Sequence, residues 1–160
     1  MLPKFHILIG LLFSIGCYTI FSFVSLIGAG LIFLSSVLID FDHYIYYIFK
    51  KKSFSLKKAY NWFKKKGKQF SKIPKNKRKS YALNFSFFHG LEWVFIFSLF
   101  GKLFNTYFYF IAIGIFLHLV LDWIHSYHTM GRFFKISFIF DYFNNKNLKK
   151  IQLNFGRNKV

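Results

Sequence analysis

Cysteine occurs once in this chain, proline twice, and acidic residues five times against 23 lysines and arginines. The single Cys17, inside an apolar run, excludes a disulfide framework and a thiolate metal cluster and leaves its sulfur a packing role. With proline confined to Pro3 and Pro74, long helices meet almost no breakers. Walker loops, nucleophile elbows and dinucleotide fingerprints are absent from the sequence, which removes the common nucleotide and serine-hydrolase chemistries. Paired His-x-x-His-His clusters are absent too, which sets aside His-rich di-iron hydroxylases and desaturases.

What the chain has instead is apolar surface, 54% hydrophobic and 24% aromatic over 160 residues. That is too apolar for a soluble domain of this size and predicts an integral membrane protein. A net charge of +18 would suit nucleic acid, but the lysines cluster in one loop and in the C-terminal tail. Membrane proteins keep cytoplasmic charge in such places, so the expected partner is a bilayer with anionic headgroups, and no nucleic acid is expected.

Ile7 to Ile39 is 33 residues without a formal charge, against the ~20 that one helical crossing needs. The length predicts two helices, His6–Val24 and Leu31–Phe49, joined by a glycine-containing turn over Ser25–Gly30. It also exceeds a signal peptide, and no small-residue cleavage pattern ends it. Tyr81–Phe100 and Leu103–Ile124 supply a third and a fourth span. Lys50–Lys79 holds fourteen Lys or Arg and no acid, so the positive-inside rule makes it cytoplasmic. Within it Leu56, Ala59, Tyr60, Phe63 and Phe70 recur near helical spacing, which fits a basic helix on the inner membrane face; a solvated basic linker fits as well. Pro74 ends any such helix. The expected fold class is therefore all-α: a four-helix transmembrane bundle over 1–130 with a basic cytoplasmic loop at 50–80. Residues 131–160 form an aromatic and basic interfacial tail, and both termini face the cytoplasm of a plasma-membrane protein.

Four of the five acids lie within three residues of a histidine: Asp40, Asp42, Glu92 and Asp122. Asp40 and His43 are three apart, as are His89 and Glu92, while His118, Asp122 and His125 stand at i, i+4 and i+7. In the four-span topology these sets share one depth in the inner half of the bilayer, and His6 opens the first span on the same side. An unpaired Asp at a helix centre costs roughly 2.5–3.5 kcal/mol on insertion scales, and a metal cation would neutralise several carboxylates while using imidazoles as ligands. Mixed His and carboxylate ligation suits zinc, manganese or iron. Taken singly, the residues have plainer readings: His6 as a helix-start or interfacial residue, His89 with Glu92 or His118 with Asp122 as hydrogen-bonded pairs. His125 and His128 read as solvated histidines at the exit of the fourth span, Trp93 and Trp123 as packing or belt residues, and Asp141 as a surface charge.

The order of three motifs resembles the small membrane-bound metal-dependent hydrolases of the YdjM type, which are distantly similar to zinc-dependent phospholipase C and the S1/P1 nucleases. They are His6-Ile7-Leu8-Ile9-Gly10, Asp40-Phe41-Asp42-His43 and His118-Leu119-Val120-Leu121-Asp122. Where that family often has a His-Arg-Gly-x-Thr-His-Ser segment, this chain has His89-Gly90-Leu91-Glu92, and the small, proline-rich segment after the last motif is replaced by Ser126–Gly131. The resemblance implies a hydrolase acting on the phosphoester of a lipid or lipid-linked substrate. Its metal ligands would be His6, Asp40, His43, His89, His118 and Asp122, with Asp42 or Glu92 as the group that orients water or acts as general base. Two other classes fit the same residues: a proton or divalent-cation transporter, and a non-catalytic scaffold with a structural metal.

Overall fold

The computed structural model describes residues 3–78, 81–82, 87–131 and the positions 133, 136, 137, 139, 141, 143 and 149–150. Its architecture is helical: α1 (Pro3–Ile20), α2 (Leu26–Leu38), α3 (Phe41–Lys51), α4 (Leu56–Ser71), α5 (Lys75–Arg78), α6 (Leu91–Leu103) and α7 (Tyr107–Met130). Extended pairing among the described residues is limited to a two-residue parallel match of Tyr81–Ala82 with Lys149–Lys150. Among the described residues, three segments are long and apolar enough to cross a membrane: α1, the Leu26–Lys51 stretch that contains α2 and α3, and α7.

Helix ends follow local chemistry. Pro3 opens α1, where a missing N–H costs nothing. The Ser25 hydroxyl accepts from Gly28 N–H at 3.1 Å to start α2, and Ser55 accepts from Lys58 N–H at 3.3 Å to start α4. α3 ends on Lys52 in the left-handed region, φ 50°, its N–H donating to Ile48 C=O at 2.7 Å. The basic loop is thus largely the helix its spacing predicted, ending at Ser71, three residues before Pro74.

The helices meet through small residues. Only His6, Gly10 and Ser14, four apart, are buried on α1; its Leu and Phe side chains face outward. A Cβ on Gly10 would run into Ser36 Oγ, and one on Gly114 into Ser35 Oγ and the Ile32 carbonyl, so α2 lies against both α1 and α7 at a separation only glycine permits. Lipid is as apolar as leucine, so burying Ile32 and Leu119 completely brings little transfer energy. Close van der Waals fit has to supply the association, and that requires small side chains.

Four expectations change. The first span ends at Ile20, so Phe21 to Ser25 form the first connection. The second span breaks: Asp40 N–H donates to Val37 C=O at 3.3 Å and His43 N–H to Asp40 C=O at 3.1 Å, a tightened i to i−3 turn separating α2 from α3 without proline or glycine. The third expected span is shorter than Tyr81–Phe100: α6 starts only at Leu91, and Phe87 to Gly90 are irregular. The fourth span lengthens: α7 runs past Ile124 to Met130, with His125 and His128 exposed in its last turns, the solvated setting expected of them. Of the expected tail, 131–160, most lies outside the described residues.

Candidate metal centre

Four segments converge on one polar cluster inside this apolar frame. α1 contributes His6, the α2–α3 turn contributes Asp40 with Asp42 and His43 just beyond it, the loop before α6 contributes His89, and α7 contributes His118 and Asp122. His6, His89 and His118 are at most 1% exposed, and Asp122 is 4% exposed. Two adjoining donor groups result, His6, His118 and Asp122 in one and Asp40, His43 and His89 in the other, with the ligand atoms of each within 4.8 Å of one another.

Hydrogen bonds fix which nitrogens face inward. The Ser36 carbonyl can only accept, so His118 Nδ1, 2.7 Å away, carries the proton and its Nε2 keeps a lone pair. His89 Nδ1 donates to Asp42 Oδ2 at 3.0 Å, and Phe88 N–H donates to the same oxygen at 3.2 Å. That leaves His89 Nε2 bare as well. The two bare nitrogens face each other at 3.1 Å. Asp40 Oδ1 stands 3.3 Å from His89 Nε2 and 3.6 Å from His118 Nε2, while Asp122 Oδ2 is 3.6 and 3.7 Å from the same pair. His6 stacks on His118 with ring centroids 4.0 Å apart; its Nε2 lies 3.4 Å from Asp122 Oδ1, yet neither ring nitrogen makes a hydrogen bond.

No protein-family model, curated protein or solved structure matches the chain.

The donor set itself carries the chemical conclusion. Two imidazole Nε2 atoms and the carboxylate oxygens of Asp40 and Asp122 crowd one point, and neither nitrogen of the buried His6 makes a hydrogen bond. Such a cage repels itself when empty of positive charge, whereas a divalent cation satisfies every member of it. The cluster can therefore hold a metal ion. The His89–Asp42 and His118–Ser36 bonds are the outer supports that orient metal-binding imidazoles, so Asp42 lies one step behind the cage.

Of the residues singled out by sequence, seven come together here. The break at Asp40 is what unites its neighbours: on one continuous helix Asp40 and Asp42 would point about 200° apart, but the turn brings them to opposite nitrogens of the same imidazole, His89. His89 itself is not on a helix face shared with Glu92; it precedes α6, and Glu92 in the first turn of α6 accepts from the Ser137 hydroxyl. Sequence reasoning did not find Ser36, whose backbone carbonyl holds His118. Its signal was a run of small residues, Ser35 and Ser36, inside an otherwise apolar helix. The cluster's open side is marked by Asp40, 18% exposed, and His43, 27% exposed.

Proposed function

We propose that the chain is a membrane-embedded metal-dependent hydrolase of the YdjM type its motifs resemble, cleaving a phosphoester in a lipid or lipid-linked substrate. The observation that carries this reading is the pair of bare Nε2 atoms, His89 and His118, facing each other beside two carboxylates. Zinc suits this nitrogen and oxygen set best, with manganese or iron next. His6, Asp40, His89, His118 and Asp122 are the proposed ligands, with His43 completing the second group. When bound, the ion supplies a water of lowered pKa and neutralises charge on the phosphoryl oxygens.

The chain's own residues do the rest. Asp42 holds His89 in one tautomer, and its second oxygen lies 3.1 Å from His43 Nδ1. Asp42 Oδ1, which makes no hydrogen bond, is the acceptor for the proton of a water entering past His43 from the open side. The Ser36 carbonyl keeps His118 aimed, and the stacked His6 closes the wall opposite. Glu92, the other candidate base, is engaged with Ser137.

The topology proposed with it has four crossings in a plasma membrane, with the basic loop and both termini cytoplasmic. α6, thirteen residues long and about 20 Å, reaches from the outer turn only to the depth of His89. The irregular backbone at 87–90 is tolerable there because His89 and Gly90 are buried in protein rather than exposed to lipid.

The test is metal analysis of the detergent-purified chain, followed by hydrolysis of short-chain lipid phosphoesters. At least one ion per chain is expected, with turnover lost in Asp122→Ala while helicity is retained. A metal content near zero that added zinc or manganese cannot raise overturns the reading.

A further inference from the structure

The far end of α3 carries a second polar feature that the metal centre does not use. Lys51, its last residue, and Lys58 and Lys65, seven apart on α4, line a groove of about 360 Å³ together with Tyr47, Asn61 and Trp62. Side-chain packing holds the groove in shape: Tyr47, Ala59 and Trp62 form a buried cluster between α3 and α4, with Tyr47 and Trp62 ring centroids 5.9 Å apart. Its chemistry is strongly one-sided. Three ammonium groups and a buried indole N–H that makes no hydrogen bond offer donors, and no acid occurs anywhere from residue 50 to 79. Crowding of positive charge is evident on the same helix, where burial and the Lys50 cation push Lys66 down to about 8.

The surroundings say what kind of anion belongs there. α3 continues a membrane-length segment, and on the same stretch of chain Phe49, Phe54 and Leu56 are all well exposed. A soluble phosphate would leave those side chains in water, whereas a lipid supplies apolar chains next to its phosphate. We propose that this groove seats the phosphate headgroup of an anionic membrane lipid, with Lys51, Lys58 and Lys65 on the phosphate. The site lies roughly 13 Å along α3 from Asp42 and stands independently of any hydrolytic activity.

The full-length chain in detergent, titrated with phosphatidylglycerol or phosphatidylcholine and read by native mass spectrometry, tests this. Phosphatidylglycerol is expected to bind one to one, at least about tenfold tighter than phosphatidylcholine. The double variant Lys58→Gln with Lys65→Gln loses at least about tenfold in that affinity, and Lys58→Arg with Lys65→Arg retains it. Lys57→Gln with Lys64→Gln, outside the groove on the same helix, changes it less than about twofold. Equal losses in the two Gln pairs would reduce the effect to diffuse attraction and overturn the proposal. Equal affinity for the two lipids would do the same, as would displacement of phosphatidylglycerol by inorganic phosphate at matched concentration.

Discussion

Nε2 of His118 and Nε2 of His89 face each other at 3.1 Å while both Nδ1 atoms are committed to oxygen acceptors. Neither ring can turn its proton inward without abandoning a buried acceptor, and such a loss costs about 1–3 kcal/mol. A cation between them is expected to be part of the stable molecule. Chelation should therefore lower the melting temperature of the detergent-purified chain, and stoichiometric zinc should restore it. A melting curve insensitive to both treatments would disprove this.

Asp42 supports the cage through His89 rather than by joining it. Asp42→Asn keeps an acceptor for His89 but removes the charge, so zinc affinity should fall about 10–100-fold while saturating zinc still fills the site. His118→Ala removes a donor and should abolish stoichiometric binding. Isothermal titration separates the two: unchanged affinity in Asp42→Asn would show that the support is idle.

Gly114 and Gly16 make a matched pair. Alanine at Gly114 meets the Ile32 backbone carbonyl, which cannot rotate away, whereas alanine at Gly16 meets nothing within 4 Å. Gly114→Ala should destabilise by about 1–3 kcal/mol. Gly16→Ala should be neutral or stabilising by up to about 1 kcal/mol, since glycine is the poorer helix former. Thermal melts of the two variants check the contrast, and a similar shift in both would contradict the close α2–α7 approach.

Lys66 sets a pH dependence on α4. The folded chain holds it at about 8 against an ordinary 10.5. Between those values the unfolded chain binds more proton, so this group adds stability as pH rises from 8 to 10.5 and exerts its full penalty below 8. Lys66→Met should raise the melting temperature at pH 7 and flatten its rise over that interval. A variant less stable than the parent at pH 7 would show that Lys66 contributes more by packing over Trp62 than it costs by burial.

Much of the site was legible because ionisable residues are so rare within the apolar segments. Asp40, His43, His118 and Asp122 were identified by charge in a lipid-length run, and His6 and His89 by depth along it. Depth survived even where the helix assignment did not: His89 reaches the right level from a loop because α6 begins beside the cage. The α2–α3 break was not legible, since Ile39 and Asp40 carry no breaker signal and a continuous apolar pattern reads as a continuous helix. Phe87 to Gly90 misled for a related reason, apolarity alone being unable to distinguish a helix from an irregular segment. The roles of Ser36 and Asp42 as supports depended on atomic positions that periodicity does not encode.

His6 sits near the beginning of the chain and Asp122 near the end of the last membrane-length helix, yet they belong to one donor group. During synthesis His6 is therefore without the other members of its group until α7 has entered the bundle. Closure of this donor group is consequently a late event of assembly rather than a nucleus for it. A chain cut short before α7 would keep Asp40, His43 and His89 but lack His118 and Asp122, so His6 would stand without its donor group.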